Sequence, residues 1–281
     1  MFTVSAFADE IDPDPQVQID VLKTCGVRYI EFRSIHKTNV LALNDLQVRE
    51  FKSLLDKHGF KLSAIGSPIG KTVIDQPFEI ELKRLQRAIE LCQLFGTRNI
   101  RIFSYYLTEG GDWDDWRRDV MDRMWEKLKI AEKAGVRLIH ENEHRIYGDS
   151  PERVADLLHT VSEQLKSPCF GAAYDPANFV FCGYDPWAGW LASREYLVHL
   201  HIKDWKTGVG EQHGCLAGQG DGQIERVMVD AVARGYDGFA TLEPHLLGGG
   251  PTGGVTGPEL FPKAVQAFRD ILNRVGAKVA N

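Results

Sequence analysis

AEKAGVRLIHENE, residues 131–143, decides how the rest of the chain is read. An amphipathic stretch stops at Gly135, a short apolar run follows at once, and that run ends on charged side chains. Glycine just past the last turn supplies the left-handed cap that closes a helix. The run at 136–139 has the composition of a buried strand. The same joint recurs at Cys25-Gly26-Val27, His58-Gly59-Phe60, Phe95-Gly96-Thr97 and Arg234-Gly235-Tyr236. Working outward, strand-like runs lie at 3–8, 28–33, 61–66, 99–104, 136–141, 170–175, 197–202 and 238–243, which makes eight. Helical patterns fill the gaps at 14–24, 45–58, 77–95, 114–134, 151–165, 222–234 and 258–275, with a weaker one at 186–195. Ser150-Pro151 reads as an N-cap with proline at the first helical position. Helix–strand alternation with such short joints predicts a parallel sheet with right-handed crossovers. Eight such units predict an α/β fold, a (β/α)8 TIM barrel forming a single domain over 1–281. A doubly wound sheet is the rival, but no G-x-G-x-x-G follows the first run.

Composition agrees with a globular enzyme-sized chain: 281 residues, 43% hydrophobic, 26% charged, formal net charge -6. An acidic chain does not suit bulk nucleic-acid binding, where the phosphate backbone demands clustered Lys and Arg. The five cysteines are scattered with no C-x-x-C, so neither a zinc ribbon nor a redox pair is expected. The opening MFTVSAFADEI lacks a basic n-region, and no run of about 18 apolar residues occurs, so a cytoplasmic protein without a membrane partner is expected.

In a barrel, chemistry sits where strands end. Here those ends are loaded: Glu31 and Arg33, Ser67 to Lys71, His140 to His144, Asp175 to Asn178, His199 to Asp204, and Glu243 to His245. Charged groups at the end of an apolar strand cost several kcal/mol to desolvate unless paired or metal-bound. Glu141, Asp175, His201 and Glu243 fall on four successive strands and are expected to converge. Three carboxylates and one imidazole suit a divalent ion such as Mn²⁺, Mg²⁺, Co²⁺ or Zn²⁺. His140-Glu141-x-x-His144 also matches the H-E-x-x-H metalloprotease signature. That signature needs a helix; on a strand the two histidines stand roughly 13 Å apart and cannot share an ion.

FADEI at 7–11, ENE at 141–143, YDPANF at 174–179, HIKDW at 201–205, GQGDG at 218–222 and LEP at 242–244 together resemble the xylose isomerase-like TIM barrels. That group of sugar phosphate isomerases and epimerases also holds inosose dehydratase and endonuclease IV relatives. The resemblance spans essentially the whole chain. It implies one divalent metal, manganese preferred, held by Glu141, Asp175, His201 and Glu243. It also implies an enediolate mechanism in which Glu141 and Glu243, on opposite faces of the substrate carbon, remove and return a proton. Two positions depart from the ketose epimerases: Asn178 and Thr207 stand where those enzymes carry His and Arg, which concerns substrate contacts rather than ligands.

Glu31, Ser67, Glu143, Asn178, Lys203 and Trp205 complete the expected substrate-binding set. The expected partner is a small polyol or sugar, with a homodimer also compatible with the resemblance. Alternatives are a dehydratase of an inosose-like ketone or, from another class, an endonuclease IV-like phosphodiesterase. Plainer readings exist beside these. Glu31 pairs with Arg33, and Lys203 and Asp204 form a solvated loop pair; on the functional side, Ser67 and Lys71 are hydroxyl or phosphate contacts. Asp9 and Glu10 are helix N-terminal charges, and Trp113, Trp116 and Trp125 pack on a helix. The segment 245–257, six of whose thirteen residues are glycine, is a lid, a phosphate cradle or a loose connection.

Overall fold

A computed structural model describes residues 1–165, 167–208, 214–250 and 253–280. Among these residues the principal strands are β1 (Phe2–Ala6), β2 (Tyr29–Phe32), β3 (Lys61–Ile65), β4 (Asn99–Ile102), β5 (Arg137–Glu141), β6 (Phe170–Tyr174), β7 (Leu197–Ile202) and β8 (Gly238–Leu242). The helices are α1 (Pro15–Thr24), α2 (Asp45–His58), α3 (Phe78–Phe95), α4 (Trp113–Ala134), α5 (Pro151–Leu165), α6 (Pro176–Phe181), α7 (Pro186–Ser193), α8 (Ile224–Ala233) and α9 (Phe261–Arg274). The strands close into a barrel in the order β1-β8-β7-β6-β5-β4-β3-β2. The (β/α)8 expectation is therefore met.

The residues fall into two compact units, 1–63 with 199–281, and 64–198. In the first, β1 runs parallel to β8, Phe2 opposite Gly238 through Ala6 opposite Leu242. β8 in turn pairs with β7, Thr241 opposite His201. Asn44 and Gln47 form a reciprocal capping box at the start of α2, and Gly59 ends it at φ 70°. Helix α9 buries Phe261, Ala264, Val265, Phe268, Ile271 and Leu272, the spacing of a single apolar stripe.

In the second unit β4, β5 and β6 lie side by side, with His140 opposite both Ile102 and Ala172. Ala64, Ile139 and Ala173 form a buried cluster against Val198. Ser150 caps α5 as expected, its Oγ accepting from Arg153 N–H at 3.2 Å. One helix was not foreseen. Residues 176–181, read as the outflow of a strand, form α6, because Asp175 Oδ1 accepts Asn178 N–H at 3.0 Å and Pro176 presets the first turn. Helices α6 and α7 cross at Gly189, where a Cβ would lie 2.2 Å from Phe179 Cε2.

Segment 245–257 is not a loose connection. Gly249–Gly250 and Gly253–Gly254 pair antiparallel, and Leu247 and Val255 are joined to the same ladder. Residues 251 and 252 lie outside the described residues. No helix among the described residues is long and apolar enough to cross a membrane.

Candidate metal centre

Strand alternation sets the first half of the site. His199 and His201, two apart on β7, present their rings to the same face. Both meet Glu31 of β2: its Oε2 lies 2.9 Å from His199 Nε2 and 3.2 Å from His201 Nε2. Burial alone would raise the Glu31 carboxyl, but His201 and His199 outweigh it and hold it well below the usual range. When His201 Nε2–H donates to Glu31, its Nδ1 keeps the lone pair that a metal needs. That Nδ1 stands 3.7 Å from Glu243 Oε2.

Glu243 is buried among cations. Arg33 Nη1 donates to its Oε1 at 2.6 Å and His245 Nε2 is 3.2 Å from the same oxygen. Lys203 Nζ lies 3.6 Å from Oε2, which accepts no hydrogen bond from the described residues. Burial would raise this carboxyl; Lys203, His245 and Arg33 hold it well below its ordinary value. Arg33 also donates to Asp9 at 2.8 Å and lies over the Phe7 ring, 4.3 Å from its centroid. Glu10 accepts the His245 N–H at 2.9 Å and the Thr256 hydroxyl at 2.7 Å, tying the loop after β1 to the glycine hairpin. Burial disfavours charge on His245, yet Glu10 and Glu243 push its pKa up to about 9. Gly253 and Gly254 pack where a Cβ would meet Arg33 Cζ at 2.3 Å and His245 Cδ2 at 1.8 Å.

The other half belongs to β4, β5 and β6. Glu141 Oε2 is 3.2 Å from Arg101 Nη1, and Asn178 Nδ2 reaches its Oε1 at 3.3 Å. Asn142 extends the β5–β6 pairing through its side chain: it donates to Asp175 O at 2.8 Å and accepts from Asp175 N at 2.9 Å. His140 contacts Ser104 Oγ at 2.9 Å, and burial beside Lys127 pushes it down to about 3, so it stays neutral. His140 and Glu141 lie on β5 while His144 lies beyond it, not on a helix. The metalloprotease reading therefore has no frame.

In the second unit a donor atom of Glu141 lies within 4.8 Å of one of Asp175, in the first the same holds for His201 and Glu243, and all four side chains are buried. Two ligands on opposite sides of an ion at about 2.4 Å are about 4.8 Å apart. The set fits a hard or borderline divalent cation, and the buried Glu243 Oε2 is an acceptor with lone pairs to give.

The remaining expected residues are placed as follows. Glu31 sits against the two imidazoles. The Ser67 hydroxyl donates to Arg101 O at 2.5 Å, and Glu143 pairs with Lys71 at 2.7 Å. Asn178 bridges Glu141 and Asn142 O. Trp205 is half-buried in a two-strand hairpin with Gly214. Two plainer readings are corrected. Lys203 and Asp204 are buried, not a solvated pair. Asp204 accepts the N–H groups of Gly218, Gly220 and Gly222, which gathers the GQGDG segment around it. Arg33 pairs with Asp9 and Glu243 rather than Glu31. Trp113 stands half-buried at the start of α4, packs edge-on against Tyr147 with ring centroids 5.5 Å apart, and also lines a cleft with Lys71 and Glu143. Sequence reasoning missed Arg33, Arg101, Glu10 and His245 as partners of the acidic groups. Their only signal was position at or just past a strand.

A family model described as xylose isomerase-like TIM barrel matches residues 19–271. No curated protein matches the chain. Among solved structures, the probable 3-DHS dehydratase AsbF of Bacillus anthracis superposes with a TM-score of 0.74 at 14% identity, covering 96% of this chain and 99% of that one. A xylose isomerase-like TIM barrel protein from Mycobacterium smegmatis in complex with magnesium gives 0.71 at 18%, covering 92% and 88%. An L-ribulose 3-epimerase gives 0.71 at 14%, covering 97% and 94%.

Proposed function

This chain belongs to the xylose isomerase-like TIM barrel family, and on that premise we propose that it is a divalent-metal-dependent isomerase or epimerase of a small sugar. The observation that carries the reading is that both units end their strands in buried ligand pairs, Glu141 with Asp175 in one and His201 with Glu243 in the other, each pair with donor atoms within 4.8 Å. These four would hold the ion, with manganese expected and magnesium, cobalt or zinc able to replace it. When bound, a divalent cation acts as a Lewis acid toward a carbonyl, making the neighbouring C–H more acidic.

The chain's own groups do the rest. Glu141 and Glu243 are the proposed proton carriers, each a carboxylate braced by an arginine. Arg101 and Arg33 hold them in place from behind and oppose net negative charge in a buried site. Asn178, which donates to Glu141, and Lys203, 3.6 Å from Glu243, are the proposed substrate contacts beside them. Glu31 orients His201.

Glu243→Gln keeps the shape of the side chain but not its basicity. It should abolish solvent-deuterium incorporation into a ketose substrate, measured by proton NMR in heavy water, while far-UV circular dichroism stays unchanged. Full exchange in that variant would remove Glu243 from the mechanism. Asp175→Ala should lose the metal, read by elemental analysis of purified protein.

A further inference from the structure

The loops after β3, β4 and β5 are laced together. Phe103 N–H donates to Ile69 O and Tyr105 N–H to Gly70 O, both at 2.8 Å. Tyr106 N–H donates to Thr72 O at 2.9 Å and Tyr147 N–H to Tyr105 O at 3.1 Å. Tyr106 bridges both Val73 and Ile146. The approach is so close that a Cβ on Gly70 would sit 2.0 Å from Phe103 O. Two non-glycine residues in this lacework, Tyr105 and Arg145, are held left-handed at φ 73° and 64°. Such backbones cost of order 1–3 kcal/mol and persist only where the surroundings fix them.

This rim encloses a cleft of about 780 Å³ lined by Lys71, Tyr106, Leu107, Trp113, Glu143 and Arg145, among others. That size is within the usual range for a small-molecule site. Its charges are largely spent. Lys71 pairs with Glu143 at 2.7 Å, and the Asp149 carboxylate is bound by Arg153. A phosphate would have to compete with Glu143 for Lys71, leaving the exposed Arg145 at the edge and the His144 ring, on which burial and Arg145 disfavour charge. The paired Lys71–Glu143 head groups instead offer a donor and an acceptor side by side, the pattern that vicinal hydroxyls meet. Trp113 and Tyr106 offer apolar surface for the C–H face of a ring. Glu143 follows Glu141 by two residues, an offset of roughly 7 Å in extended chain, which is about one ring away from the reacting centre.

We propose that this cleft is a subsite for an uncharged sugar ring beyond the reacting unit, so that the substrate is a glycoside or short oligosaccharide without phosphate at that end. The proposal rests on the sugar-isomerase reading for its chemistry but not for its binding, and the two are tested apart. For chemistry, metal-loaded protein is assayed for deuterium exchange on isomaltulose, fructose and fructose 6-phosphate. Isomaltulose should exceed fructose in kcat/KM by about tenfold or more, and Trp113→Ala and Lys71→Met should each collapse that ratio. A preference for fructose 6-phosphate, or a ratio unmoved by both variants, overturns the subsite. For binding, trehalose, which has no carbonyl to react, is used as the probe in saturation-transfer NMR. A signal in the wild type that Trp113→Ala removes supports the cleft even if no ketose exchanges, an outcome that would count against the isomerase reading alone. No trehalose signal at millimolar concentration overturns the subsite whatever the exchange assay shows.

Discussion

Replacing Glu31 by glutamine tests whether the proposed centre depends on a residue that would never touch the ion. Glu31 Oε2 serves both imidazoles, at 2.9 Å to His199 and 3.2 Å to His201, and is wholly buried. A hydrogen bond to a charged acceptor contributes about 1.5–3 kcal/mol against about 0.5–1.5 for a neutral one. Losing the charge therefore weakens the His201 tether by about 1–1.5 kcal/mol. The amide can also turn its NH₂ toward the ring and disturb the tautomer that leaves Nδ1 open. Together these place the loss near the range found for partners that orient a ligating histidine, about 10–100-fold in metal affinity or about 1.4–2.8 kcal/mol. Chelator-stripped protein would be titrated with Mn²⁺ and the free ion followed by electron paramagnetic resonance, with far-UV circular dichroism as the control for folding. A dissociation constant within about twofold of the wild type, in a folded variant, would refute the tether and with it the orientation argued for His201.

Other perturbations have defined outcomes. The folded pKa of His245 is raised to about 9 from 6.5, so its contribution to stability is complete below pH 6.5 and is lost as pH rises through 9. Metal-free protein should show a falling Tm across that window, and His245→Gln should flatten the slope; an unchanged slope in the variant would show that another group titrates. Thr256→Val removes the hydroxyl that donates to buried Glu10 at 2.7 Å and should cost about 1–3 kcal/mol in urea unfolding. Asp204→Ala strands several backbone N–H groups at once and should cost roughly 3–5 kcal/mol by the same assay. Gly254→Ala forces a Cβ to within 1.8 Å of the His245 ring and should lower exchange activity more than it lowers Tm.

The parts of this molecule that could be read from sequence were those whose cause is local. Gly59, Gly96 and Gly135 cap helices at φ 70–71° because only the residue after the last turn matters there, and each such glycine stands next to the strand it introduces. Glu141, Asp175, His201 and Glu243 were singled out as candidates because a charge that ends an apolar strand needs a reason. The groups that hold them were not. Arg33 and Glu243 are separated by 210 residues, and Glu10 and Thr256 by 246, so no window of sequence pairs them. Asp204 looked like a solvated loop residue because its acceptor role depends on glycine N–H groups 14 to 18 positions later, whose backbone offers no side-chain signal. Lys71 could be read as either a hydroxyl or a phosphate contact because nothing nearby in sequence announced Glu143, 72 residues on.

The reciprocal pair between Asn142 and the Asp175 backbone has a consequence for engineering. It works like the top stop of a zipper, sealing two strands one notch above their last rung. Everything below that stop is held in phase, so Glu141 and Asp175 keep their mutual aim whatever hangs above. The exposed Arg145 side chain hangs above that stop, whereas Ile146 and Tyr147 are buried and tied to the neighbouring loop. Exchanging Arg145 for another exposed side chain should re-tailor what the protein accepts without detuning how it grips an ion, whereas Asn142→Leu should let the phase slip and spoil both.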